Sequence, residues 1–563
     1  MACCPRPASA PPNRSSRGAD PTGPRCRLRR STAGFGRFVP VSVPSQARAL
    51  LRPAPSPVPL ARLLPGDPDV PADLRIGGLT LDSRIVAPGD LYLALSGARA
   101  HGADFAADAV RAGAVAVLTD AEGARRAEVP AGVPVLVVDD PRALMGGLAA
   151  GVYGHPAEAL RCFAVTGTNG KTTTSYLLAA ALRELGLSVG TIGTIGFRVD
   201  DEPLVGPRTT VTTPESVDLH GLLGLMKERG AAAVAMEASS HALALGRTDG
   251  VRFDVAGFTN LGRDHLDFHQ TMENYFEAKA SLFTPGRCRA AVVVVDDEWG
   301  VRLAARIAEG GEVPLRTVSW ATEQLAGRPA ADYRVTSVEQ GRIRVATPRG
   351  EWSFDSALPG DFNVRNAVLA LAMLEAAGLD ARAAAAAFAT LSVPGRMQPV
   401  ALGPGAPEAY VDFAHTPQAI QAALTAFATA RRAGRRVVAV LGCGGDRDAS
   451  KRRPMGAAAA RGADLVVITD DNPRTEDPAA IRAEALAGAR EAAAAEVVDG
   501  GDRRSAIRQA LRLAGPDGIV VVLGKGHEQG QEVAGVLTPF DDATVLAAQW
   551  RDLSAAVAGE GDR

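Results

Sequence analysis

The sequence predicts an α/β fold built on mostly parallel sheets, and three observations carry that prediction. A glycine-rich stretch, TGTNGKTTT at 166–174, lies between an apolar strand candidate and a helical run. Short β-branched runs recur further along with helical stretches between them, as in a parallel sheet with helices on its faces. Several of these runs end in loops of charged and small residues. In open parallel sheets ligands gather beyond the carboxyl ends of the strands.

Composition bounds the rest. With 563 residues the chain has room for several domains with sizeable cores. A formal net charge of −2 gives no argument for a nucleic-acid partner or an anionic membrane surface. The six cysteines are scattered and form no CxxC pair, which suits a reducing compartment and argues against a disulfide or zinc framework. Apolar runs such as AAVVVV at 290–295 fall far short of the ~20 residues that cross a bilayer. These features describe a soluble, cytoplasmic protein with no membrane insertion, and a monomer is expected.

Residues 1–55 are rich in Arg and Pro and show no apolar face, so a disordered extension is expected there. A segment upstream of the functional start fits equally. A transit peptide is the alternative, and the prolines oppose its amphipathic helix.

Residues 56–156 read as a small α/β unit with no acid–base constellation, better suited to binding than to chemistry. The next region, 157–391, opens on the glycine-rich stretch. Gly167 and Gly170 permit a tight turn with inward N–H groups, Lys171 adds charge, and Thr172 offers a hydroxyl to magnesium. The longer phosphate-loop pattern wants glycine where Val165 stands, so the match is to a shorter G-x-x-G-K-T form. A plain glycine turn with a surface lysine is the competing reading.

Glycines at 190, 193 and 196 read as a strand and an eased turn rather than a dinucleotide fingerprint. A buried strand within 231–243 delivers Glu237, Ser239 and His241 to a loop, and 251–269 repeats the device with Asn260, Asp264 and His265. His265 and His269 stand four apart, as zinc ligands do on a helix, but no third ligand is apparent. Magnesium held by Thr172, Glu237 and, as a third candidate, His265 fits better, because Mg²⁺ takes few protein ligands. On the amphipathic helix at 271–283, Lys279 reads as a snorkelling lysine. A helix at 360–378 has Asp361 or Asn363 near its cap and Asn366 in its first turns, where an amide could touch a base.

The last region, 392–563, repeats one device. EAYVDF, RRVVAVLG, ADLVVIT and DGIVVVLG lead into AHTP, CGGDRD, DDNPRTEDP and KGHEQG. One part of the chain therefore cradles phosphates, and another presents Arg447, Asp471, Asn472, Arg474 and Glu528 to a second, charged substrate.

Taken together, TGTNGKTTT, EASSHAL, GRDHLDFH, EAKASLF, GDFNVRNAVLA, GRMQ, DFAHTP, GCGGDRD, DNPR and GKGHE resemble the Mur ligase family in content and order. The resemblance implies three domains: UDP-MurNAc binding at 56–156, ATP binding at 157–391, and a Rossmann-like amino-acid domain at 392–563. It implies an ATP-dependent ligase of cytoplasmic peptidoglycan precursor synthesis, adding diaminopimelate to the D-Glu of UDP-MurNAc-L-Ala-D-Glu through an acyl phosphate. Within the glycine-rich loop, Gly167, Thr168, Asn169, Gly170, Lys171, Thr172 and Thr173 would bind ATP, with Asn366, Arg396 and His415 touching the nucleotide. Leu81 and Ser83 would meet the uridine end, near residues 98–100. Thr212, Thr213, Ser239 and Arg247 would hold the muramoyl-dipeptide. Where some relatives carry Gln, this chain has Leu245.

The resemblance also turns Lys279 into a carbamate that binds magnesium, and it gives catalytic roles to Lys171, His265 and Arg396. Arg447, Asp471, Asn472, Pro473, Arg474, Gly524 and Glu528 would form the diaminopimelate site. Two rivals remain, a folylpolyglutamate-synthetase-like ligase and a phosphate-loop ATPase or binding protein without ligase activity.

Overall fold

The computed structural model describes residues 51–54, 56–64, 70–97, 99–206, 211–320 and 330–561. Its N-terminal sheet is small. Gly78–Thr80, Asp90–Ala94, Ala116–Thr119 and Val135–Val137 pair in chain order, all parallel. The helix Pro141–Val152 covers this sheet; its start is fixed by Asp140, whose side chain accepts from the Ala143 N–H, and by a proline in the first turn.

Ordered contacts reach back into the stretch expected to be disordered. Arg52 forms a buried ion pair with Asp90, with Nη1 2.9 Å from Oδ1, and Leu51 packs against the central core. An isolated Arg among prolines gives no periodic signal, and its partner is distant in sequence, so this anchor is invisible to local reading. Residues 1–50 and Pro55 lie outside the described residues.

The central sheet has eleven strands. Its parallel middle runs, in spatial order, Val189–Gly193, Ala233–Glu237, Arg161–Thr166, Val255–Phe258, Ala291–Val294, Leu315–Ser319 and Tyr333–Glu339. Antiparallel hairpins extend both edges, Gly196–Val199 with Glu202–Leu204 on one side, Arg342–Thr347 with Gly350–Asp355 on the other. The Glu339–Arg342 turn passes through Gln340 and Gly341 at φ +48° and +84°, both left-handed, as a two-residue type I′ turn requires. The strand Arg161–Thr166, buried beyond its first residue, sits between Ala233–Glu237 and Val255–Phe258. That position brings the glycine-rich loop beside the ends of both neighbours.

The helix Asp361–Ala376 packs on this sheet, with Val364 and Ala367–Leu374 in the core. Its N-cap is Gly360 and no side chain caps it; Asn363 donates instead to Pro359 O at 2.8 Å.

The C-terminal sheet has the spatial order Gln398–Pro399, Glu408–Asp412, Ile519–Leu523, Val437–Cys443, Leu465–Asp470, Glu496–Gly501, and is parallel after its first pair. Val437–Cys443 and Ile519–Leu523 are buried along their whole length, which explains why they read as unbroken β-branched runs rather than alternating ones. Chain order reverses around Ile519–Leu523, and at such a switch point the loops after adjacent strands part and leave a crevice.

Beneath that crevice Arg503 is fully buried, gripping Asp542 through two 2.7 Å hydrogen bonds and donating to Leu523 O at 3.0 Å. Removing one partner strands a buried charge, which typically costs about 3–5 kcal/mol. Asp542→Ala is therefore expected to lower the urea midpoint of the C-terminal region, followed by intrinsic fluorescence; an unchanged midpoint would refute this anchoring role.

Candidate active site

The glycine-rich loop is held before any ligand arrives. Gly167 and Gly170 have φ of +146° and +88°, and a Cβ on Gly170 would lie 2.5 Å from Asn366 Oδ1. Thr168 N donates to Asn260 O (2.9 Å), Asn169 N to Asn260 Oδ1 (3.0 Å), and Thr259 Oγ1 to Asn169 O (2.6 Å). Thr168 Oγ1 lies 3.1 Å from Tyr275 Oη. Lys171 Nζ folds back onto Gly167 O and Thr168 O, both at 2.9 Å. Thr173 is buried in the first turn of the helix Lys171–Glu184.

Glu237, 1% exposed, is the hub beside this loop. Its Oε2 accepts from Thr172 Oγ1 (3.0 Å) and Thr194 Oγ1 (3.1 Å), and its Oε1 accepts from Thr194 N (2.7 Å). Arg396 joins them, donating from Nη2 to Thr172 Oγ1 at 3.3 Å while its guanidinium stands 4.4 Å from the Phe413 ring centre. Thr172, Glu237 and Arg396 thus meet, and Asn366 closes the loop from the other side.

Lys279 does not snorkel. It is 1% exposed, donates to Gly167 O at 2.8 Å, and lies 4.6 Å from the Tyr275 ring centre. Burial, helped by the Lys171 charge, pushes its pKa well below the ordinary lysine value. The snorkelling expectation fails because the helix Met272–Ala280 turns this residue toward the loop and not toward water. His265 sits in the left-handed region (φ +52°) with Nε2 3.6 Å from Asp264 Oδ2 and its ring 4.8 Å from that of His241. His269 is buried, with Nε2 2.9 Å from Ser240 Oγ, and burial lowers its pKa to about 4.

The residues expected around the dipeptide gather at the same strand end. Thr212 Oγ1 is 3.1 Å from Thr194 Oγ1, and Arg247 Nη1 donates to Thr213 O at 3.2 Å. Thr213 Oγ1 donates to Glu237 O (2.8 Å) and accepts from Ser239 N (3.1 Å), while Ser239 caps the helix Ser240–Ala244. The side chains of Thr213 and Ser239 are therefore committed to the scaffold as well. Leu81 and Ser83 are half-buried on the loop after Gly78–Thr80. Residue 98 lies outside the described residues.

A cleft of ≈ 1140 Å³ joins the two halves of the machinery. His241, Asp264 and His265 line it from the central region; His415, Arg447, Asp471, Asn472, Arg474, Gly524 and Glu528 line it from the C-terminal sheet. His415 Nδ1 is 2.8 Å from Phe413 O, a carbonyl that can only accept, so Nδ1 carries the proton and Nε2 keeps a lone pair.

Arg474 also has a left-handed backbone, φ +55°, fixed by the hairpin Gly530–Val533 and Val536–Pro539. Arg474 N donates to Glu532 O at 3.0 Å, and the Ala534 N–H returns to Arg474 O at 2.6 Å. The guanidinium is not free: Nη1 donates to Gly445 O (2.6 Å) and Nε lies 3.5 Å from Glu532 Oε2. Asn472 acts as a brace, with Nδ2 donating to Glu528 Oε2 (2.8 Å) and Oδ1 accepting from Glu532 N (2.9 Å). Pro473 shapes the turn through its carbonyl, which accepts from Glu476 N, and is not among the cleft-lining residues.

Sequence reasoning passed over Thr194, Lys525 and Glu532. Lys525 stands inside GKGHE and could have been singled out there; Thr194 and Glu532 carry no motif.

Family models match at 75–153 (Mur ligase family, catalytic domain), 165–374 (Mur ligase middle domain) and 395–526 (Mur ligase, glutamate ligase domain). A UDP-N-acetylmuramoyl-L-alanyl-D-glutamate–2,6-diaminopimelate ligase of Streptomyces coelicolor is 51% identical over 84% of this chain and 92% of its own. The chain belongs to the Mur ligase family. A relative of the same name from Corynebacterium efficiens is 47% identical over 86% of this chain and 92% of its own. Among solved structures, one of a ligase of that name superposes with a TM-score of 0.63 at 32% identity, covering 89% of this chain and all of the other. Mycobacterium tuberculosis folylpolyglutamate synthase, complexed with ADP, shares the fold at 19% identity and a TM-score of 0.55, over 68% of this chain and 92% of its own.

In this Mur ligase the loop conformation itself is testable. Gly170→Ala would combine left-handed strain of about 1–3 kcal/mol with the clash against Asn366. ADP affinity, titrated calorimetrically, is expected to fall roughly 10- to 100-fold; unchanged affinity would show that this conformation is not the binding one.

Proposed function

We propose that this Mur ligase joins diaminopimelate to the D-glutamyl carboxylate of UDP-MurNAc-L-Ala-D-Glu at the expense of ATP, a step of peptidoglycan precursor synthesis. The observation that carries the reading is the shared cleft, where His265 from the ATP-binding half faces the same space as Arg474 and Glu528. A ligation needs both an activated carboxylate and an amine in one enclosure.

In the first step the glutamyl carboxylate attacks the γ-phosphorus of ATP, and ADP leaves with the electrons of the broken P–O bond. In the second, the diaminopimelate amine attacks the acyl carbon, phosphate leaves, and the amine loses a proton as the amide forms. Inward N–H groups of the loop and Lys171 would hold the phosphates, with Lys171 exchanging its two loop carbonyls for phosphate oxygens. Arg396, already on Thr172, would meet charge developing during transfer. Asn366 and His415 would contact the nucleotide. The domain limits 56–156, 157–391 and 392–563 are proposed as the units that bind UDP-MurNAc, ATP and the amino acid.

The Thr172 hydroxyl and buried Glu237 carboxylate fit a magnesium ion that keeps its remaining ligands as water and phosphate oxygens. When bound, magnesium would neutralise phosphate charge. His265 is proposed for a second position with Lys279 as a carbamate. The depressed Lys279 pKa supports this, because only the neutral amine adds CO₂.

Leu81 and Ser83 are proposed for the uridine end, and Thr212, Thr213, Ser239 and Arg247 for the muramoyl-dipeptide. Arg447, Asp471, Asn472, Pro473, Arg474, Gly524 and Glu528 are proposed around diaminopimelate. Its distal carboxylate would displace Glu532 from Arg474, and its distal ammonium would meet Glu528. One chain supplies every group, so a monomer suffices. Among the described residues no helix is long and apolar enough to cross a membrane, and a cytoplasmic site suits ATP and a UDP-linked substrate. The folylpolyglutamate-synthetase-like reading leaves the N-terminal unit without a role.

Lysine lacks the distal carboxylate and would forgo the charge-assisted pair with Arg474, a loss of about 2–4 kcal/mol or roughly 30- to 1,000-fold. ADP release with UDP-MurNAc-L-Ala-D-Glu is expected to require diaminopimelate and to be that much weaker with lysine. Equal turnover with lysine would overturn the specificity, and turnover independent of any amino acid would favour a plain ATPase. Arg474→Lys is expected to raise KM for diaminopimelate while ADP affinity persists; loss of both would contradict a local role.

A further inference from the structure

We propose that Lys525 is a positioning residue for amino-acid selection: it holds the Glu528 carboxylate in place to receive the distal ammonium. This rests on the reading of Glu528 given above. Lys525 is 0% exposed although it sits on a loop at the edge of the cleft. Its three ammonium donors are all engaged, on Glu528 Oε2 (3.1 Å), Asn472 Oδ1 (3.2 Å) and Gly530 O (2.6 Å). A buried ammonium with three fixed acceptors has one position, and so therefore has the carboxylate it pairs with.

The contacts on Glu528 are one-sided. Asn472 Nδ2 and Lys525 Nζ both reach Oε2, and among the described residues Oε1 has no protein partner. The Glu528 side chain keeps 37% of its surface exposed, so without Lys525 a single neutral amide hydrogen bond from Asn472 would be left to hold it out of solvent. Arg474 is meanwhile anchored by Gly445 O and approached by Glu532. Arg474 and Glu528, a cation and an anion among the charged residues lining this cleft, are each tied to a neighbour other than one another. That arrangement keeps them from collapsing into a mutual pair and leaves two separated charges for a zwitterionic end group. Pre-organisation of this kind raises affinity by removing the cost of ordering the site.

The test compares diaminopimelate with 2-aminopimelate, which keeps the distal carboxylate and lacks the distal amine. The readout is the ratio of kcat/KM for the two, because a loss of folded enzyme scales both equally and cancels. In Lys525→Met the ratio is expected to fall roughly 10- to 100-fold, mainly through KM for diaminopimelate. Glu528→Gln is expected to lower it similarly, and Lys525→Met added to Glu528→Gln to move it no further. An ADP titration of each variant verifies the folded nucleotide site. If Glu528→Gln collapses the ratio and Lys525→Met leaves it intact, the role of Lys525 is overturned while the reading of Glu528 stands. If Glu528→Gln leaves it intact, the reading of Glu528 fails and the role of Lys525 with it. Equal loss for both substrates in Lys525→Met would make the lysine merely structural.

Discussion

Glu237 carries a carboxylate to the end of a central strand where almost no water reaches it, and the surrounding segments are arranged to meet that charge. Three hydrogen bonds arrive from Thr172 and Thr194, and the carbonyl of Glu237 itself accepts from Thr213. A buried carboxylate without such donors would cost several kcal/mol. The glycine-rich loop, the Val189–Gly193 hairpin and the 211–215 segment are thereby tied to one residue, and Arg396 links them to the C-terminal region through Thr172.

The C-terminal half solves a different problem with the same device. Its strands end around a topological reversal, and the loops there supply charges of both signs. These charges are steered by second contacts: Arg503 with Asp542 under the strand ends, Lys525 and Asn472 on Glu528, Gly445 on Arg474. Ligation asks only that two reactants be held and that charge be neutralised as it moves. The division between a sheet that ends in the glycine-rich loop and a charge-presenting sheet matches that demand.

Much of this was legible in the sequence. The parallel character of both main sheets followed from buried β-branched runs, and the C-terminal strand-end loops, beyond which ligands were expected to gather, line one cleft through His415, Arg447, Arg474 and Glu528. What stayed hidden has a common physical cause, dependence on partners distant in sequence. Arg52 reads as part of a polar leader until Asp90 is beside it. Lys279 reads as a surface lysine until its helix is turned against Gly167. The edge hairpins between 333 and 355 carried a local signal, alternating residues and a Gln-Gly turn, that was overlooked rather than absent. Asn472 and Pro473 belong to a motif, and the motif does not say that one braces and the other bends.

The hairpin that fixes Arg474 has a bearing on how amino-acid choice can drift between lineages. Its main-chain hydrogen bonds set the left-handed backbone at position 474, while the Glu532 carboxylate approaches the guanidinium separately. On the proposed role of Arg474, any replacement would be filtered twice, by the charge of the incoming amino acid and by tolerance of a positive φ. Glycine, asparagine and aspartate pass the second filter most easily, and β-branched residues fail it. Mutational routes away from Arg474 are accordingly narrower than the genetic code allows.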